Sequence, residues 1–149
     1  MAFRPTSIQG VPGSVGAVAG TSGTIDYRLA RRHLVNEVKR KRLSRQDVCD
    51  AHPELVRAAQ GIGTVTDRVC PICEEQPLVH VTYVFGNRLP AHGRVIERLA
   101  ELRTLGQAHD DLGCYIVEVC LGCRWNHLAK YFRFGRAHRR PALKEPARR

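Results

Sequence analysis

Four of the six cysteines in this 149-residue chain form two C-x-x-C pairs, Cys70-Pro71-Ile72-Cys73 and Cys120-Leu121-Gly122-Cys123. At that spacing one tight turn aims two sulfurs at a single point. Two such turns supply four thiolates, the complete shell of a tetrahedral structural zinc ion, Zn2+. Pro71 pre-sets the first turn, and Gly122 stands where the second is expected to need a positive φ. A closed thiolate shell leaves no position for water, so the expected role of the ion is structural rather than catalytic. Two other uses of sulfur compete with this reading, a set of buried free thiols and a redox dithiol, and no βαβ pattern precedes Cys70 to favour the second. Cys49-Asp50-Ala51-His52 adds a C-x-x-H. It reads as a buried thiol followed by a histidine that caps the next helix, or, with His127, as a further source of ligands. No second complete set of four ligands is visible.

Other reaction chemistry finds no support. There is no Ser/His/Asp order, no Gly-rich phosphate loop and no small-molecule substrate motif, and Asp110-Asp111 reads as a solvated turn. The expectation is a protein that is not an enzyme.

The charge is distributed unevenly around the cysteines. The net charge is +10. Residues 25–60 carry nine basic and five acidic side chains, residues 61–123 five basic and eight acidic, and residues 124–149 nine basic and one acidic. The cysteine region is thus mildly acidic, while the segments before and after it are basic. Such flanks suit contact with a polyanion or an acidic protein surface, and they also suit a merely solubilising exterior. No apolar run is long enough for a membrane span, and the first residues resemble neither a secretory signal nor an anchor. The cytoplasm is the expected location, where thiols stay reduced and metal binding is the better use of cysteine.

Periodicity and punctuation give the elements that must position the cysteines. Residues 1–23, rich in Gly, Ser, Pro and Thr, are expected to form a disordered arm. A helical segment is expected over 24–62. Its first helix begins near Ile25 with Thr24 as N-cap, carries the stripe Tyr27, Ala30, Leu34, Val38, and ends in Lys39-Arg40-Lys41-Arg42. Ser44-Arg45-Gln46-Asp47 resembles a capping box that starts a second short helix, and Pro53 starts a third that Gly61 stops. Three such helices resemble, weakly, a helix-turn-helix unit, or else a cap packed on the ribbon. Residues 63–135 are expected to form a zinc-ribbon domain with an inserted helix, followed by a basic, disordered tail at 136–149. Strands are expected at Leu78–Phe85, Tyr115–Val119 and Ala129–Phe134, and a helix from Arg94 to Gly106. The fold class is therefore α+β, a small antiparallel zinc-ribbon sheet preceded by a short helical segment.

Trp125 and Tyr131 alternate with Arg124, Lys130, Arg133 and Arg136 around the last strand. Interleaved aromatic and basic residues suit base stacking with phosphate contact, and equally suit aromatics that cover a small core beneath solvated charges.

The stretches Asp47–Pro53, Cys70–Cys73, His80–Val84 and above all Val117-Glu118-Val119-Cys120-Leu121-Gly122-Cys123-Arg124-Trp125-Asn126-His127-Leu128 resemble a family of small actinobacterial proteins of unknown function. The resemblance covers roughly residues 24–134. It implies a cytosolic metal-binding protein and no established activity.

The function expected from these observations is non-enzymatic zinc binding coupled to contact with nucleic acid or a nucleic-acid machine such as RNA polymerase or the ribosome. Lys39, Arg40, Lys41, Arg42, Arg124, Lys130, Arg133 and Arg136 would meet phosphates, and Trp125 and Tyr131 would stack on bases. The alternatives are a ribbon that docks on a protein partner without nucleic acid, and a thiol redox sensor using Cys49, Cys70 or Cys114.

Overall fold

A computed structural model of the chain describes residues 22–139. The order of elements is β1 (Ser22–Asp26), α1 (Arg28–Lys39), α2 (Arg45–Val48), α3 (Pro53–Ile62), β2 (Thr64–Val69), β3 (Pro77–Phe85), β4 (Arg94–Ile96), α4 (Leu99–Ala108), β5 (Leu112–Cys120) and β6 (Asn126–Phe134), closed by a 3-10 turn at Arg136–His138. The six strands form one antiparallel sheet in the order β1-β6-β5-β3-β2, with β4 beside β3. The expected α+β class holds, and the sheet is twice the size of the expected three-stranded ribbon.

Register explains how sequence-distant cysteines meet. β3 and β5 are adjacent, with Leu78 opposite Cys120 and Phe85 opposite Gly113. The turn joining β2 to β3 and the turn joining β5 to β6 therefore emerge side by side at one end of the sheet. The first carries Cys70 and Cys73, the second Cys120 and Cys123.

Side chains directly opposite in an antiparallel pair share a face. One face presents Leu78, His80, Thr82 and Val84 on β3 with Cys120, Glu118, Ile116 and Cys114 on β5. Phe134, Phe132, Lys130 and His127 of β6 continue it. At the end remote from the cysteines α4 covers this face, with Gly106 against Phe134. α1 covers the cysteine end. The other face carries Val79, Val81, Tyr83 and Phe85 opposite Val119, Val117, Tyr115 and Gly113, and α3 packs over it through Leu55 and Ala59. Two buried clusters result. The larger fills both faces of the sheet, and the smaller gathers Val35, Val48, Leu78 and Trp125 around Cys70 and Cys120.

Several boundaries differ from expectation. Residues 22–26, assigned partly to an arm and partly to a helix, form an edge strand, with Ile25 opposite Tyr131 and Asp26 opposite Lys130. The helix begins at Arg28, whose N–H donates to Asp26 Oδ1 at 2.9 Å. Pairing with the otherwise open edge of β6 outweighs the local helical pattern. The rest of the expected arm, residues 1–21, lies outside the described residues, as does the expected tail from residue 140 onward. The expected helix at 94–106 divides into β4, which pairs with Thr82–Val84, and α4. The capping box is present: Asp47 N–H donates to Ser44 Oγ, and Ser44 N–H to Asp47 Oδ2. Pro53 is the first residue of α3. No helix among the described residues is long and apolar enough to cross a membrane.

Candidate metal centre

Both knuckles are closed by the same backbone bonds. Cys70 N–H donates to the Gln76 carbonyl and Cys120 N–H to the Trp125 carbonyl, each at 2.8 Å. Glu74 N–H donates back to the Cys70 carbonyl and Arg124 N–H to the Cys120 carbonyl. The residue after each pair's second cysteine has a left-handed conformation, Glu74 at φ 58° and Arg124 at φ 70°. That corrects the expectation for Gly122, whose φ is not positive. Glycine serves there by clearance, since a Cβ would sit 2.6 Å from Gln76 Cγ. Inside each turn a backbone N–H points at sulfur. Ile72 N–H donates to Cys70 Sγ and Cys123 N–H to Cys120 Sγ, both at 3.4 Å. Such bonds stabilise charge on a thiolate.

The four sulfurs of Cys70, Cys73, Cys120 and Cys123 lie within 4.8 Å of one another. A tetrahedron of sulfurs about 2.3 Å from a central ion has edges of about 3.8 Å. The Cys70–Cys123 and Cys73–Cys120 separations are each 3.6 Å. The cluster therefore has the size of a four-thiolate metal shell. Burial pushes the Cys70 and Cys120 thiols up. Burial would also raise Cys73, but the backbone N–H groups of Glu75 and Gln76 and the neighbouring Cys120 and Cys70 sulfurs bring it down to about 7. A divalent cation deprotonates such thiols on binding.

A fifth sulfur adjoins the four. Cys49, at the C-terminal end of α2, places its thiol 3.5 Å from Cys123 Sγ, outside the tetrahedron. Burial and the contact with Cys123 push its pKa up to about 12, and its thiol donates to Cys123 Sγ. The C-x-x-H is thereby split. Cys49 turns to the cluster, and His52 caps α3, its Nδ1 accepting from Glu54 N–H at 3.1 Å. His127 is not in the cluster: its ring stacks on Trp125 at 5.5 Å and 3°. Cys114, fully buried in the main core, is remote from the metal end, opposite Val84 and Phe132.

Beneath the cluster lies a polar group that sequence reasoning overlooked. Glu118 is fully buried, and its Oε1 accepts from Arg31 Nε at 2.7 Å and from Trp125 Nε1 at 2.8 Å. His80 and His127 flank Glu118 in one row across three strands. Burial, then the positive charges of Arg68, Lys130 and Arg31, lowers His80 to about 4. Burial, then Arg31, lowers His127 to about 3. Both rings are neutral at neutral pH, leaving the Glu118–Arg31 pair as the charged centre of the network. A lone carboxylate inside the apolar run Tyr115-Ile116-Val117-Glu118-Val119 was the available signal.

The residues assigned to nucleic acid fall into separate places. Lys39, Arg40, Lys41 and Arg42 are exposed at the end of α1, whose Leu34, Val35 and Val38 pack on the cysteine cluster. Arg124, also exposed, follows Cys123 directly. Arg133 and Arg136 lie at the far end of β6, a nine-residue strand spanning roughly 27 Å. There Arg133 pairs with Asp111, and Arg136 pairs with Asp110 at 2.9 Å. Lys130 is half-buried on the His80 face and Tyr131 half-buried on the other. Trp125 is fully buried, bonded through its N–H and stacked on His127, so it has no free face for a base.

Fold and site together define an α+β protein in which two hairpin turns of an antiparallel sheet gather a zinc-ribbon-like cysteine cluster with the geometry of a metal centre. The model of a family of unknown function, DUF5318, matches residues 18–148, and the chain belongs to that family. Over 118 residues it is 41% identical to uncharacterized proteins of Mycobacterium bovis and of two strains of Mycobacterium tuberculosis, covering 79% of this chain and 85% of each of theirs. This agrees with the actinobacterial resemblance carried by the cysteine, histidine and tryptophan stretches. No solved structure matches the chain.

Proposed function

We propose that this protein is a non-enzymatic zinc protein that uses its metal centre to hold a basic surface against nucleic acid or a nucleic-acid machine. Zinc is the ion that suits four thiolates in a tetrahedron within a reducing compartment. The observation that carries the reading is the seating of α1. Its apolar face packs on the cysteine cluster, and its C-terminal end carries Lys39, Arg40, Lys41 and Arg42 into solvent. Of these only Arg42 has an ion pair among the described residues, with Glu37 at 3.4 Å. Arg45 and Arg124 add charge at the same end of the sheet. Arg133 and Arg136 are removed from the interface by their aspartate partners and their distance from it.

The zinc-loaded protein should bind single-stranded oligonucleotides with an affinity that falls steeply as salt rises, because each phosphate contact releases a counterion. Changing Lys39, Arg40 and Lys41 together to glutamine should lower the slope of log affinity against log salt by about 2 to 3. Fluorescence anisotropy across a salt series measures it. Affinity that stays flat from low to moderate salt would reject the reading, and nuclease-resistant co-purification of one protein partner would favour docking on a protein instead.

The position of Cys49 supports a second reading, a peroxide-sensitive metal centre. The Cys123 thiolate would attack a peroxide, releasing one equivalent of water or alcohol and leaving a sulfenic acid. The Cys49 thiol would then displace water to form the Cys49–Cys123 disulfide, which removes one ligand from the ion. Cys49→Ala should leave zinc content unchanged while slowing peroxide-driven zinc release severalfold, followed with a chromogenic chelator. Equal release rates in both proteins would exclude the disulfide.

A further inference from the structure

The face of the sheet opposite α1 and α4 is only partly covered. α3 reaches the half nearer the cysteines, and beyond it the strands present aromatic rings in register. Tyr83 of β3 is directly opposite Tyr115 of β5, which is directly opposite Tyr131 of β6. Phe85, two residues along β3, contacts two of the three. Ring centroids are 6.5 Å apart for Tyr83–Phe85, 5.3 Å for Phe85–Tyr115 in an edge-to-face arrangement, and 4.7 Å for Tyr115–Tyr131. Opposite Phe85 the strand carries Gly113, where a Cβ would approach the Tyr131 ring to 3.2 Å. A cleft of about 480 Å³ opens over this floor, lined also by His52, Glu54 and Leu55 at the start of α3 and by Ala91 and His92.

The chemistry of the lining selects among ligands. Aromatic rings supply flat apolar surface. His52 accepts a backbone N–H through Nδ1, which leaves its Nε2 as the donor edge facing a ligand. Glu54 supplies an acceptor carboxylate that is largely exposed. No lysine or arginine lines the cleft, so it does not offer a phosphate site. A flat heteroaromatic ring with hydrogen-bonding edges fits rings, donor and acceptor together.

We infer that the cleft over Phe85 and Tyr115, with the nearly buried Tyr83 at its base, binds an unpaired nucleobase by stacking, while the strand's phosphates are met elsewhere. This deepens the nucleic-acid reading and rests on it for the source of the base, a strand rather than a free nucleoside. Sheet-borne aromatic rings are a recurrent platform for unpaired bases, and one stacked base contributes enough that its loss weakens binding about tenfold.

The test uses the full-length zinc-loaded chain with fluorescein-labelled ten-nucleotide U and A oligoribonucleotides, and with adenosine alone observed by saturation-transfer NMR. Tyr115→Ala is expected to weaken oligonucleotide binding about tenfold without changing the salt slope, and Tyr115→Phe to retain it. Should Tyr115→Ala fail to fold, an oligonucleotide bearing 5-iodouridine, photo-crosslinked to the unaltered protein and mapped by mass spectrometry, is expected to mark the peptides holding Tyr83, Phe85 or Tyr115. Salt-dependent oligonucleotide binding with crosslinks elsewhere, or with Tyr115→Ala unaffected, would overturn the cleft and leave the basic surface standing. Adenosine bound at the cleft without oligonucleotide binding would support the cleft and reject the strand. Binding of neither would overturn both, as would a cleft that takes tetramethylammonium and no nucleoside overturn the base assignment.

Discussion

Serine at Cys70 or Cys120 is expected to abolish stoichiometric zinc binding and to melt the hairpin end of the sheet. Both sulfurs are buried and stand at the centre of the smaller cluster, with Val35, Val48, Leu78 and Trp125 packed around them. That cluster is small, and structural zinc contributes roughly 10 kcal/mol or more to folding in small zinc modules. Serine supplies neither a thiolate nor its affinity, and the three remaining sulfurs no longer complete a four-thiolate shell. The single tryptophan makes the loss visible, because Trp125 lies in that cluster and its emission should shift to the red as the cluster opens. Far-UV circular dichroism should change less, since Phe132, Phe134, Ile116 and Val117 belong to the other cluster. A strong chelator should reproduce the change in the unaltered protein and add nothing in the variant. Cys114→Ala is the control: it removes a buried sulfur opposite Val84 and should cost packing stability alone, with zinc content intact. One zinc per chain retained in the Cys70 or Cys120 variant, by elemental analysis, would refute the four-sulfur centre.

The metal centre was legible because C-x-x-C is a local signal and because the strands at Leu78–Phe85 and Tyr115–Val119 announce themselves by β-branched density. What was not legible depends on partners far along the chain. Thr64–Val69 runs into Cys70 as β5 runs to Cys120, yet its side chains are mostly exposed, Asp67 interrupts any apolar alternation, and it reads as an approach to the turn. Ser22–Asp26 is extended only because β6 needs a neighbour, a fact invisible from its composition. Trp125 and Tyr131 look alike in sequence, both set beside arginine or lysine. The structure separates them through Glu118, which draws Trp125 inward, while Tyr131 lies over Tyr115 on the opposite face. The tyrosines at positions 83, 115 and 131 belong to three strands, so only register reveals that they form a row.

Leucine at Glu118 or at Arg31 should each destabilise the protein by roughly 3 to 5 kcal/mol, whereas the two changes together should cost much less than their sum. A buried ion pair gains little over well-packed apolar groups, but either charge left alone in the interior is expensive. Glu118 is fully buried, and the Arg31 side chain is only 16% exposed. The flanking His80 and His127 are neutral, so neither ring adds a charge to the pair. Glu118→Leu also deprives Trp125 Nε1 of its acceptor, so the double variant should remain somewhat below the unaltered protein. The consequence extends to the metal. Glu118 lies two residues before Cys120 and Trp125 two after Cys123, and the Trp125 carbonyl closes the second knuckle on Cys120 N–H. Loosening Trp125 should therefore weaken zinc retention about tenfold in competition with a chelator, by the route through which outer contacts orient ligands. Chemical denaturation of the two single variants and the double variant, with zinc held in excess, isolates the folding term. Single variants that each fall within about 1 kcal/mol of the unaltered protein would show that the pair is not the desolvated centre its geometry describes.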